Sequence, residues 1–168
     1  AIKGAIEGAG VKHESIDEVI MGNVLSAGQG QAPARQASFK AGLSESVPAV
    51  TLNKMCGAGL KSVIYAHDQI KAGTSDLVAA GGMESMTNAP YLSPKMRGGA
   101  RVGHQQMYDH MFLDGLEDAY EPGRLMGTYA EDTAELFQFT REQQDEYAIG
   151  SLNNALNAQK EDAFDKEI

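Results

Sequence analysis

Between residues 18 and 82 the apolar positions switch back and forth between two periods. EVIMGNVL (residues 18–25) is an almost unbroken apolar run, as expected of a strand covered on both faces. SAGQGQ then forms a Gly-rich loop. PARQASFKAGL reads as a short helix with Pro33 in its first turn and its end near Gly42. Pro48 precedes a second strand, AVTLNKM. Over residues 57–71, Leu60, Val63, Ile64, Ala66 and Ile70 recur at helical spacing, and Gly73 closes the pattern. Asp76 opens DLVAAGG, a short apolar run bounded by turns and expected to be a fully buried strand. Ser15, Ile16, Asp17 and Glu18 have the spacing of a helix capping box, in competition with the strand reading of EVIMGNVL.

Strand, helix, strand, helix, strand at these lengths predicts an α/β fold with helices on both faces of a buried sheet. The pattern changes at Asn88. From there to about Tyr129 the chain is rich in Gly, Met and polar residues without a steady period, which predicts a functional loop region or a subdomain of its own. Domains are therefore expected over residues 1–87 and 88–168. Thr140 opens a strong helix, TREQQDEYAIGSLNNALNAQ, with Gln143 completing a capping box. The opening IKGAIEGAGV reads as the tail of a helix begun upstream, and FDKEI stops where a new strand is expected, so a longer protein is anticipated.

Composition narrows the function classes. The apolar fraction of 42% and charged fraction of 22% are those of an ordinary globular protein. No apolar run reaches the roughly 18 residues of a membrane-spanning helix. The formal net charge of −9 disfavours a nucleic-acid surface, since Lys and Arg are scattered. One cysteine forms no internal disulfide, which fits a reducing, cytoplasmic location. His104, Asp109 and His110 lack the spacing of a metal site on one face, so no metal is expected.

That cysteine, Cys56, falls between a strand and a helix, with Gly57 and Gly59 behind it. The N–H groups and partial positive charge of a helix start favour a thiolate, the form in which a cysteine attacks. The glycines clear the first turn for a carbonyl to approach N–H donors. The competing reading is a small buried hydrophobe. His67 lies eleven residues further along the same helix, roughly 16 Å at 1.5 Å per residue, too far to serve as its base. His13, His104 and His110 sit in no recognisable pairing motif.

Four segments in order resemble the thiolase family. GQGQAPARQASFKAGL is similar to its G-x-x-N-P-A-R segment, with Ala32 where Asn is usual. LNKMCGAGLKSV resembles the nucleophile motif N-x-x-C-x-S-G, with Ala58 in place of Ser. LVAAGGMESMTNAPYL resembles the following strand and its GGxExM turn, and EPGRLMGTYAEDTAE the M-G-x-x-A-E segment of the loop domain. The resemblance implies a thiolase-like fold: part of the N-terminal half, its first strand missing, with a mixed buried sheet, plus the start of the loop domain.

The chemistry implied is acyl transfer to and from coenzyme A by Claisen condensation or thiolytic cleavage. Cys56 is then the nucleophile that carries the acyl thioester, with its backbone N–H in the oxyanion hole. Leu116, Leu125 and Met126 match positions lining the substrate pocket; plain core packing is the competing reading for all three. Leu125 stands where short-chain biosynthetic members carry His, which makes the pocket more apolar. The activating histidine and second cysteine belong to a C-terminal half, so this chain alone is expected to be inactive.

The resemblance further implies acetyl-CoA or acyl-CoA as partner and substrate, no permanently bound cofactor, and a homodimer or homotetramer. Lys95, Arg97 and Arg101 align with the loop that joins dimers in tetrameric members. Glu84 is expected to hold a turn or cap a helix, and most of Met83, Met86, Met96, Met107, Met111 and Met126 to be filler. Exposed sheet edges are expected to make the fragment self-associate. Competing readings are another synthase of the same superfamily, or a thiolase-like fold that binds acyl-CoA or lipid without chemistry.

Overall fold

The computed structural model describes residues 1–165; the strand anticipated at the end of FDKEI lies outside them. Strand β1 (Glu18–Gly22) runs between β2 (Ala49–Leu52) and β3 (Val78–Gly82) in a sheet of order β2-β1-β3. Both pairings are parallel, in register Val19 to Ala49 and Val19 to Ala79. Parallel neighbours require crossovers. Helix α2 (Pro33–Lys40) carries the chain from β1 to β2, and α3 (Ala58–Ala72) from β2 to β3.

Alternation along β1 assigns a helix to each face. Val19 and Met21 join Ala34 of α2 and Ile6 of α1 (Ile2–Gly8) in the main apolar cluster. Gly22, on the other parity, meets Ala58 and Gly59 of α3. Covered on both sides, β1 is buried over Val19–Gly22, as its continuous apolar run predicts. β3 departs from expectation. Its residues are half-buried or exposed, not fully buried, because it has only β1 beside it among the described residues.

The helical pattern of α3 is confirmed in extent and corrected in orientation. Gly73, in left-handed conformation (φ 72°), ends the helix, a position that only glycine occupies without strain. The buried positions are the small Ala58, Ser62 and Ala66. The larger Leu60, Val63, Ile64 and Ile70 are exposed. Small residues on the sheet side let helix and strand backbones approach; the apolar stripe faces away from this contact.

At Ser15 the strand reading prevails over the capping-box spacing. His13–Ser15 is a short 3-10 turn and Glu18 is already in the strand. Asp17 ties the starts of β1 and β3 together instead, its carboxylate accepting N–H bonds from Asp76 (2.7 Å) and Leu77 (2.9 Å). These bonds, Leu77's foremost, hold its carboxyl below the ordinary carboxylate range. Helix α2 has Pro33 in its first turn as predicted, and its N-cap is Ala32, left-handed at φ 50° and without a capping side chain. The Thr51 hydroxyl of β2 accepts the Ala34 N–H at 2.9 Å and serves in its place.

Ser38 of α2 is fully buried, and its hydroxyl has no hydrogen-bond partner among the described residues. A buried hydroxyl that gave up water without a replacement costs stability. Ser38→Ala is therefore expected to stabilise the fold by about 1 kcal/mol. Urea unfolding would register this as a higher midpoint at unchanged slope; a lower midpoint would refute it.

The chain forms two compact units, Ala1–Glu117 and Asp118–Ile168. In the first, the irregular region contains a two-residue antiparallel pair, β4 (Tyr91–Leu92) with β5 (Tyr108–Asp109), and a π-helix at Phe112–Leu116. In the second, α4 (Met126–Leu136) begins inside the stretch expected to be irregular. Its approach is braced by Arg124, which pairs with Glu121 at 2.7 Å, pairs with Asp132, and stacks over the Tyr129 ring. Helix α5 (Arg141–Lys160) starts with the predicted capping box: the Gln143 N–H donates to the Thr140 hydroxyl, and the Thr140 N–H to the Gln143 side chain.

Candidate active site

After β2 the chain turns sharply into α3, and Cys56 stands in that turn. The Asn53 side-chain oxygen accepts the Met55 N–H at 2.8 Å. Met55 is left-handed (φ 50°), a conformation disfavoured for a bulky side chain and often found at functional sites. The Gly57 N–H donates to the Lys54 carbonyl at 3.2 Å and the Ala58 N–H to the Met55 carbonyl at 2.8 Å. Gly57 is the N-cap of α3, so Cys56 precedes the helix by one further residue and is exposed. The reading of Cys56 as a buried spacer is thereby excluded. Two donors that the sequence offers to a substrate carbonyl, the N–H groups of Gly57 and Ala58, are instead spent on the turn.

Close packing fixes where this turn sits. A Cβ on Gly22 would lie 2.4 Å from the Ala58 carbonyl carbon, and one on Gly82 would lie 3.1 Å from the Gly59 Cα. The buried Ser62 hydroxyl lies 2.6 Å from the Gly59 carbonyl oxygen and 2.7 Å from that of Gly81. The first turn of α3 is thus pressed against the carboxyl ends of β1 and β3. In an open sheet of order 2-1-3 those ends flank the point where the connections reverse direction, the usual place for a ligand crevice.

A cavity of about 390 Å³ occupies that place. Cys56 shares it with Leu25, Met83, Met86 and Leu116. Glu84 has the turn-holding role expected of it. Its carboxylate accepts the N–H groups of Val24 (2.8 Å) and Leu25 (3.0 Å) and the Asn23 amide (3.0 Å), fixing the loop after β1.

The structure therefore brings Cys56 and Leu116 together. Leu125 and Met126 belong to the second unit, where Leu125 is the extended N-cap of α4 and Met126, its first residue, is exposed. Filler does not describe most of the six methionines: Met86, Met96, Met107 and Met126 are exposed, whereas Met83 packs partly buried against the core cluster, and Met83 and Met86 line the cavity. Sequence reasoning missed Leu25 as a wall of the site. It also missed the strained Met55, which the Asn-x-x-Cys spacing could have signalled as a side-chain-stabilised turn. Among the described residues no histidine lines the cavity. His67 is exposed and pairs with Asp68, and His13 faces the Gly42 carbonyl. His110 is buried between Asp114 and the Ala27 N–H. Among the described residues no group of three or more His, Cys, Asp or Glu is gathered as metal ligands, and no helix is long and apolar enough to cross a membrane.

Comparison with known proteins places this geometry in a lineage. The family model described as thiolase, N-terminal domain, matches residues 1–168. An acetyl-CoA acetyltransferase of Cupriavidus necator is 53% identical over 167 residues, covering 99% of this chain and 42% of the relative. One from Candida albicans is 51% identical over 158 residues, covering 94% of this chain and 39% of the relative. The crystal structure of Acat5 thiolase from Ascaris suum in complex with coenzyme A superposes with a TM-score of 0.88 at 43% identity, over 99% of this chain and 43% of that one. The chain thus spans less than half the length of these relatives, and it belongs to the thiolase family as an N-terminal domain.

Proposed function

We propose that this chain supplies the nucleophile half of an acetyl-CoA acyltransferase. The observation that carries the reading is the exposed Cys56 in a largely apolar cavity at the start of α3, outside the carboxyl ends of parallel strands. The Cys56 thiolate adds to the carbonyl carbon of an acyl-CoA. The coenzyme A thiolate leaves, and the acyl group remains as a thioester on the sulfur. With the Gly57 and Ala58 N–H groups committed to the turn, the N–H of Cys56 itself is the donor assigned to the developing oxyanion.

The second half-reaction needs groups that the cavity lacks. In the condensing direction a carbanion from acetyl-CoA attacks the thioester and the cysteine leaves; thiolytic cleavage is the reverse. The base for this step, and the histidine that activates Cys56, fall to the C-terminal portion of a longer protein. In that protein Leu116, Leu125 and Met126 are assigned to substrate binding, coenzyme A thioesters are substrates rather than resident cofactors, and the assembly is a homodimer or homotetramer. The substrate assignment is supported by the relatives named acetyl-CoA acetyltransferase and the solved thiolase that holds coenzyme A.

The test is peptide mass spectrometry of the full-length protein, quenched after brief exposure to acetyl-CoA. An acetyl group on the peptide carrying Cys56 is expected. An unmodified Cys56 in folded protein that binds coenzyme A would refute the proposal in favour of a non-catalytic binder.

A further inference from the structure

The two walls of the cavity come from segments far apart in sequence. Leu25 lies in the loop after β1, and Leu116 ends the π-helix at Phe112–Leu116. No strand ladder joins them, yet they pack tightly: a Cβ on Gly115 would meet the Leu25 side chain at 3.3 Å. An imidazole provides a polar link between the two segments. The Ala27 N–H donates to His110 Nε2 at 3.3 Å, and His110 Nδ1 lies 2.7 Å from an Asp114 carboxylate oxygen. His110 is only 5% exposed, and its own N–H donates to the Pro90 carbonyl.

Only one neutral tautomer satisfies both contacts. Nδ1 carries the proton and donates to Asp114, which leaves Nε2 as an acceptor for Ala27. The loop is also held by Glu84, which accepts the Val24 and Leu25 N–H groups, by Gln29, whose side-chain amide donates to the Leu25 carbonyl, and by Gln36, whose amide donates to the Gln29 and Gln31 carbonyls. Each of these ties the loop to itself, to α2 or to the turn after β3, and His110 ties it to the segment that ends in Leu116.

We propose that His110, oriented by Asp114, is a positioning residue that holds the Leu25 wall against the Leu116 wall and so sets the space beside Cys56 for the acyl group. The inference rests on the acyl-transfer reading of Cys56. His110 touches no reacting atom. Its effect is on which acyl chains fit and how tightly, and so on KM rather than on kcat.

The experiment compares the full-length wild type with His110→Leu and His110→Gln. It reads kcat and KM against acetyl-CoA and longer acyl-CoA substrates, with circular dichroism as the check on folding. Leucine fills the site without an acceptor and is expected to raise KM about tenfold, the effect of one lost hydrogen bond, and to shift the chain-length preference. Glutamine offers an amide oxygen as acceptor and is expected to bring KM back to within about threefold of wild type. Unchanged KM and preference in folded His110→Leu would overturn the inference, as would a KM in folded His110→Gln raised as far as in His110→Leu. Nitrogen NMR of the wild-type imidazole decides independently of activity and of either variant's folding: an Nδ1–H tautomer is expected, and an Nε2–H tautomer would overturn it. A wild type that binds acyl-CoA without turnover refutes the acyl-transfer reading instead, and the tautomer then decides the latch.

Discussion

Cys56→Ser in the full-length protein is expected to lower the rate of acyl transfer by about 10⁴-fold or more while leaving coenzyme A binding in place. Serine matches the cysteine closely in shape, so the turn held by Asn53 and the packing of α3 are undisturbed. What is lost is the nucleophile: a hydroxyl is far harder to ionise than a thiol and attacks a thioester poorly without a strong base beside it. The cavity provides no histidine to act as that base. Steady-state kinetics together with a coenzyme A binding isotherm checks both halves. A variant retaining a tenth of wild-type turnover would remove Cys56 from the mechanism.

Gly22→Ala is expected to be the most damaging single methyl in the fold, costing about 3 kcal/mol and displacing the start of α3. The added Cβ would lie 2.4 Å from the Ala58 carbonyl carbon, 2.5 Å from the Gly59 nitrogen and 2.7 Å from the Ala58 oxygen. All three are backbone atoms, so no rotamer change relieves the clash. The strand is held by ladders on both sides, and the helix start is held by Ser62, so the strain falls on the turn that carries Cys56. Gly82→Ala, whose nearest contact is the Gly59 Cα at 3.1 Å, is expected to cost about 1 kcal/mol. Urea unfolding of both variants measures the difference, and a Gly22→Ala cost below that of Gly82→Ala would contradict this account of the packing.

The sequence by itself determined the main elements and the place of the candidate nucleophile in the chain. The unbroken apolar run of β1, Pro33 at the start of α2, Gly73 at the end of α3 and the Thr140 capping box are local signals, and each formed where it was read. Cys56 at a strand-to-helix turn was legible for the same reason, since the punctuation around it is local. Tertiary structure decided what depends on partners distant in sequence. The role of Asp17, whose carboxylate accepts the N–H groups of Asp76 and Leu77, depends on a partner about sixty positions away. Helix α3 turned its small residues, not its largest apolar ones, to the sheet, because three backbones had to meet at Gly22, Gly59 and Gly82. The cavity walls at Leu25 and Leu116 lie about ninety positions apart, and no periodicity reports a contact between them. Periodicity records which residues avoid water. It does not record which neighbour excludes the water, and at this site the neighbour sets the position of the cysteine.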